Sequence, residues 1–450
     1  MHIALFSGTV PLPVTPPPDH DRTARRDVRL RGFAARADVE EVERFLAAKT
    51  APLPAEPVAL LACAGRVLAE DVSAAVSVPS FARSAMDGFA VRGEDTFGAS
   101  SYDPVTLKVL GQTLPGRPFP GRVGAGEAVR IMTGAPIPDG ADAVVMAEVC
   151  EERGDTVAIT EAAPPHKNVG AIGEDIRAGD FVLRTGRRLR PQDAGLLASI
   201  GASRVLCHRR PRVQLVITGD ELLPPGAKPS GARIVDSNSV VLRALVARDG
   251  GVALDCTPLP DRRDVVRLAL QSSDADVILV SGGSSVGIED HAPGLVTELG
   301  TLDFHGVAMR PSSPAGVGRI PRRHKEYAAA TAPAPEEAFV FLLPGNPVSC
   351  LCAYEFFAGP VIRALGGRSR AWPHRRARLL LARKLASQIG RVDYVRVAIE
   401  DGRVIPLATS GASILSSTVR AAGCVIVPRG REGMAEGEEV EVLLYDEDWQ

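Results

Sequence analysis

The run VILVSGGSSVGIED carries an apolar strand into Gly282, Gly283, Ser284, Ser285 and Gly287 before Asp290. Small residues there let backbone N–H groups approach a phosphate or another anion, and a helix starting next adds its positive end. The run is neither G-x-G-x-x-G nor a Walker sequence, which weighs against dinucleotide binding and P-loop nucleotide hydrolysis. The competing reading is a Gly-rich turn without a ligand. A second strand end, VITGDELL, holds Asp220 and Glu221, and Asp261 follows the next strand. Carboxylates at successive strand ends suit Mg²⁺, which takes a few carboxylates together with phosphate oxygens and water. Against that stands the ordinary use of Asp as a turn or helix cap.

Other polar turns follow the same style. SAMDGFAV puts Asp87 in a Gly turn, RIMTGAPIP puts Thr133 before another, and GEDIRAGD offers Glu174 and Asp175. Each by itself is an ordinary β turn. LLPGNPVS sets Asn346 between Gly345 and Pro347, after a strand and before a helix capped by Ser349, where N–H groups can meet a ligand.

The elements that position these residues change along the chain. Val39, Val42, Phe45 and Leu46 have helical spacing, and Leu60 to Ala69 reads as a second small packing helix. Short β runs separated by Gly and Pro turns occupy Phe89–Arg92, Thr106–Gly111, Glu127–Met132, Ala143–Glu148 and Thr156–Thr160. From Arg212 buried strands alternate with helices: Val213–Ile217, Val240–Arg248, Val252–Cys256, Asp264–Ser272, Val277–Val280. That alternation predicts an α/β fold with a parallel doubly wound sheet and ligands at the strands' carboxyl ends. Asp236, Ser237 and Asn238 are candidate caps of its first helix. The expected organisation is a disordered extension over 1–37, a linking helical and β region over 38–80 and 180–210, a mostly β domain over 81–179, the α/β domain over 211–368, and a C-terminal β domain over 374–447. Residues 320–337, basic and then Ala/Pro-rich, read as a mobile surface insertion.

Composition narrows the function classes. With 52 lysines and arginines against 54 acids, the formal charge of -2 provides no general field for nucleic acid or anionic membrane, so an anion must be bound locally. Seven cysteines, odd in number and without a C-x-x-C pair, argue for reduced structural thiols. No apolar run reaches the roughly 18 residues of a membrane span, and early prolines make the opening a poor secretory signal. A cytoplasmic protein is expected.

Taken in order, SAMDGFAV, RIMTGAPIP, GEDIRAG, TGDEL, DSNS, SGGSSVG and PGNPVS resemble the molybdopterin molybdenumtransferases, the family of bacterial MoeA and the gephyrin E domain, from about residue 38 to the end. The resemblance implies a homodimer in which the α/β domain of one subunit and the β domain of the other share a site. It implies Mg²⁺-assisted reaction of adenylylated molybdopterin with molybdate to give molybdenum cofactor and AMP. Molybdoenzymes or other cofactor-synthesis proteins would be further partners. Carried over by residue, Gly282 to Gly287 with Ser284 and Ser285 resemble the pterin phosphate loop, and Glu221, Asp261 and Asp290 the acidic metal and catalytic set. Thr218, Asn346 and Pro347 lie in the matching substrate-binding motifs. Asp87, Thr133 and Asp175 would come from the partner's β domain, with Asp87 catalytic. Arg310, Arg391, Arg396 and Ser413 resemble the molybdate-facing residues.

The chain departs from the family pattern at three places. In N-x-R-x-x-GED the arginine has become Gly170, and Ser284 replaces a loop valine. The K-x-x-x-KPGKP stretch reads GVAMRPSSP, leaving Gly306, Arg310 and Ser313 at the lysine positions. Molybdate is a dianion whose desolvation must be offset by cations and donors, and losing several costs roughly a few kcal/mol. The alternative to an active transferase is therefore a pterin-nucleotide binding or delivery protein with impaired metal insertion.

Overall fold

The computed structural model describes residues 36–283, 290–322, 335–408 and 411–445. The expected N-terminal extension up to residue 35, most of the expected insertion (323–334), and Ser284, Ser285 and Gly287 of the glycine-rich turn lie outside the described residues.

The central sheet has six strands in the order Val252–Ala253, Arg212–Ile217, Val277–Ser281, Glu337–Leu343, Gly316–Pro321, Thr301–His305. The first four run parallel, and Gly316–Pro321 runs against both of its neighbours, so the sheet is mixed rather than purely parallel. Alternate side chains of each strand enter different cores, as the period of two requires. Val213, Leu215 and Ile217, with Val277, Leu279, Phe341 and Leu343, face the helices Val39–Lys49, Asn238–Arg248 and Pro347–Ala353. Val216, Ile278, Val280, Val340 and Leu342 face Arg263–Gln271 and Ala292–Leu299.

One helical stretch, Pro347–Leu365, is 19 residues long and apolar enough by composition to cross a membrane, which corrects the sequence reading that no run attains that length. It is a core helix here, with 94% of its apolar window buried. Leu60 to Ala69 is also corrected. Only Leu60–Ala62 is helical, as a single 3₁₀ turn, and the chain then bends at Gly65, φ +81°, into isolated bridges at Val67 and Leu68. Leu61 points into solvent, while Cys63, Val67 and Leu68 reach the core from a bent, bridged chain rather than from one helix face.

The β domain is a six-stranded sheet ordered Ala143–Met146, Gly88–Val91, Glu127–Ile131, Val105–Thr113, Thr156–Ile159, Cys150–Arg153. The terminal sheet is built from Val392–Glu400, Arg403–Ala408, Arg375–Leu381, Glu439–Leu444 and Gly423–Val427, closed by a second pairing of the first strand with the last. Met309–Arg310, from the α/β segment, joins it as a parallel edge strand beside Val392. All seven cysteines are free thiols.

Candidate functional site

The carboxyl ends of the parallel strands open into a cleft of about 530 Å³. Strand Arg212–Ile217 delivers Thr218, strand Val277–Ser281 delivers Gly282 and Gly283, and strand Glu337–Leu343 delivers Pro344, Gly345, Asn346 and Pro347, all of which line it. Gly282 has φ +94°, and a Cβ there would stand 2.2 Å from the Thr218 carbonyl oxygen, so no side chain is tolerated where the two strand ends meet. That close approach leaves backbone at the cleft wall, as a turn that meets an anion requires. Asn238 ties the turns together. Its Nδ2 donates to Ser281 Oγ at 2.9 Å and to the Gly345 carbonyl at 2.8 Å.

The terminal domain reaches the same cleft through Ser413, whose Oγ donates to Asn346 Oδ1 at 3.0 Å, while the Val348 N–H donates to the Ala412 carbonyl at 2.9 Å. Glu221, Asp261 and Asp290 also line it. Asp220 has a local task, accepting the Asp261 N–H at 3.2 Å, which is the capping role the sequence left open. Among the described residues no three His, Cys, Asp or Glu side chains gather closely enough to hold an ion by themselves. The donor set therefore fits Mg²⁺ only in the form in which phosphate oxygens and water complete the shell around one or two carboxylates.

The arginines expected at the anion lie outside the cleft lining, Arg310 on the strand paired with that of Asp393, Arg396 on the strand of Asp393 itself and Arg391 just before it. Arg310 Nη2 donates to Asp393 Oδ2 at 2.6 Å, Ser387 Oγ donates to the same oxygen at 2.8 Å, and Arg391 Nε forms an ion pair with Oδ1 at 3.0 Å without hydrogen-bond geometry. Asp393 is 1% exposed, whereas the two guanidinium side chains are about a third exposed. Arg396 is buried, with Nη1 near the Gly411 carbonyl at 3.4 Å, and burial lowers its pKa. The usual solvated β-hairpin arginine is not what this residue became. Gly306 has φ +90°, and its backbone brackets the stretch through bonds with Ala315 and Ala37.

In the β domain Asp87 Oδ1 accepts from Thr133 N at 2.6 Å and Thr133 Oγ1 at 2.7 Å, and these two bonds hold its carboxyl below the usual range. Asp175 is exposed and its N–H donates to the Val78 carbonyl at 3.1 Å. None of Asp87, Thr133 and Asp175 lines the cleft of its own chain. Gly170, where the family motif carries arginine, is the register partner of Arg83, and Arg83 Nη2 donates to Glu174 Oε1 at 2.6 Å. A Cβ at Gly170 would stand 2.8 Å from Glu174 Oε2, so the neighbouring strand brings a guanidinium to the carboxylate that a side chain at 170 would face.

Sequence reasoning missed Arg83, Ser387 and Asp393 and saw Asp236 and Asn238 only as caps. Asp393 lies between Arg391 and Arg396 in GRVDYVR, and its placement opposite Arg310 follows from strand pairing, which local spacing does not reveal.

Comparison with known proteins agrees with this arrangement. Residues 37–201 match the MoeA N-terminal region (domain I and II), 214–364 a probable molybdopterin binding domain, and 378–445 the MoeA C-terminal region (domain IV). A molybdopterin molybdenumtransferase of Haemophilus influenzae is 33% identical, covering 88% of this chain and 95% of that protein. Molybdopterin molybdenumtransferase 2 of Mycobacterium tuberculosis is 35% identical, covering 90% and 98%. The crystal structure of a molybdopterin biosynthesis MoeA protein from Pyrococcus horikoshii superposes with a TM-score of 0.75 at 32% identity, covering 92% of this chain and all of that one. With three domain matches in order and relatives aligned over nearly their whole length, the chain belongs to the MoeA family of molybdopterin molybdenumtransferases.

Proposed function

We propose that the chain inserts molybdate into adenylylated molybdopterin, releasing AMP and molybdenum cofactor, as a cytoplasmic homodimer. One observation carries the reading: a single cleft is lined by the Gly282–Gly283 turn, the carboxylates of Glu221, Asp261 and Asp290, and Ser413 of the terminal domain. The turn offers backbone N–H groups to phosphate, with Thr218 and Asn346 beside it. Mg²⁺, held by carboxylates of the acidic set, would neutralise charge on the phosphoanhydride as AMP departs. Arg310 and Arg391 supply cationic donors for the tetrahedral oxyanion, since a planar guanidinium can hold two oxygens at once. Asp87, fixed by Thr133, and Asp175 would enter the site of the second copy from its partner. Molybdoenzymes or other cofactor-synthesis proteins would receive the product.

The test is reconstitution: purified chain, adenylylated molybdopterin, Mg²⁺ and molybdate, with AMP and cofactor followed together. Molybdate-dependent release of both supports a transferase. A second reading, a pterin-nucleotide binding or delivery protein, has its own observation. Asp393 already neutralises one guanidinium charge where the family carries lysines. Tight pterin-nucleotide binding with no AMP release at any molybdate concentration would select it.

A further inference from the structure

Among the described residues, two buried side-chain oxygens that line the cleft lack a hydrogen-bond partner: Thr218 Oγ1 and Asp236 Oδ2. Asp236 follows the short strand Ile234–Val235, where its N–H donates to the Leu223 carbonyl at 2.9 Å. Its Oδ1 accepts from Ser239 N at 3.0 Å in the first turn of helix Asn238–Arg248. That is capping, and it employs one oxygen. A surface cap leaves the other in water, but Asp236 is 2% exposed. Shutting a carboxylate oxygen away from both water and donors costs roughly 1–3 kcal/mol or more, so the cap alone does not account for the side chain.

The missing partner is a hydrogen-bond donor arriving in the cleft. Leu222, Ile234, Val235 and Pro344 add apolar wall there, a setting for a flat ring rather than for a hydrated ion. A carboxylate meets two adjacent donors best, through two parallel charge-assisted bonds. The 2-amino-4-oxopyrimidine edge of a pterin presents the 2-amino group and N3–H side by side. Adenine offers only its 6-amino group, flanked by acceptors. We propose that Asp236 recognises this pyrimidine edge and so sets the orientation of the pterin, an assignment that rests on the cleft being the molybdopterin site. The carboxylate can roll about χ2, a broad torsion for Asp, to present both oxygens while one keeps the Ser239 amide.

The experiment uses the full chain and two fluorescent probes, neopterin and its counterpart with a 2-oxo in place of the 2-amino group. Wild type should bind neopterin about 10-fold or more tightly than the 2-oxo compound, since the latter turns an acceptor toward the carboxylate. Asp236→Asn keeps a cap of equal quality, so its thermal midpoint should hold while neopterin affinity falls about 10-fold or more and the discrimination disappears. Equal binding of both probes by wild type overturns the assignment, as does an Asn variant that binds and discriminates like wild type. Should the variant not fold, the wild-type comparison decides alone. Adenylylated molybdopterin turnover by wild type separates the two levels: turnover without probe discrimination sinks only this assignment, whereas failure to bind any pterin sinks the cleft reading with it.

Discussion

Arg310 and Asp393 are register partners on adjacent parallel strands, and Nη2 of the arginine donates to Oδ2 of a carboxylate that is 1% exposed. The same carboxylate draws in Arg391 and Ser387. Asp393 therefore fixes two guanidinium groups as one unit while cancelling one of their charges, leaving a net single positive charge for a dianion. Asp393→Asn is expected to destabilise the chain by about 2–4 kcal/mol, because removing one member of a buried ion pair strands the others. Urea unfolding measures it. A loss under about 0.5 kcal/mol would mean that the cluster is solvated in solution.

The lysine positions differ in what they tolerate. At Gly306, φ +90° makes any L side chain strained, and both Gly306→Ala and Gly306→Lys should cost about 1–2 kcal/mol in thermal or urea unfolding. Ser313 is the better place to restore charge, since its Oγ is buried without a partner. Ser313→Lys should lower the molybdate concentration needed for half-maximal AMP release by roughly 10-fold if the oxyanion lies nearby. An unchanged requirement in a folded variant would place the anion elsewhere.

Asp87 carries a pH signature. Its pKa is lowered by the Thr133 amide and hydroxyl, so the stabilisation from these bonds is present above the ordinary Asp range and is lost as pH falls through the depressed folded value. Thr133→Val removes the hydroxyl and keeps the amide, and should move the Asp87 pKa part of the way back up. Carboxyl carbon NMR titration reads this directly. An Asp87 pKa unmoved by the substitution would show that the hydroxyl bond is absent in solution.

Glu355 tests the core that supports the cleft's Pro347 helix. Burial raises its pKa, but His374 at 3.5 Å and the two-point contact with Arg248 at 2.6 and 3.0 Å outweigh that and bring it down to about 2. A folded pKa below the unfolded value stabilises above pH of about 4.5, with the contribution lost as pH falls toward about 2. Glu355→Gln should cost about 3 kcal/mol near neutrality, and wild type and variant should converge on acidification. A gap that stays constant into acid would contradict the charge-based account.

Much of the fold was legible because the α/β sheet is buried on both faces. Its apolar runs, such as Val213–Ile217 and Val277–Val280, admit few other fates. The antiparallel edge escaped, since the direction of Thr301–His305 and Gly316–Pro321 is set by pairing and not by local pattern. Thr218, Glu221, Asp261, Gly282, Gly283, Asp290, Asn346, Pro347 and Ser413 were visible as motif residues, and all line one cleft. Asp393 and Arg83 were invisible as partners because each meets its counterpart only through tertiary pairing, from 83 and 91 positions away respectively. Gly170 looked like a lost charge for the same reason.

The most direct measurement is AMP release by the full chain with adenylylated molybdopterin and Mg²⁺ across a molybdate titration, for wild type and Arg310→Ala. Removing the guanidinium should raise the molybdate concentration required by about 10-fold or more, as expected for a charge-assisted contact, while binding of the pterin nucleotide stays near wild type. Efficient release at low molybdate in both proteins would contradict the account, because the oxyanion would then be held away from the Arg310–Asp393 pair.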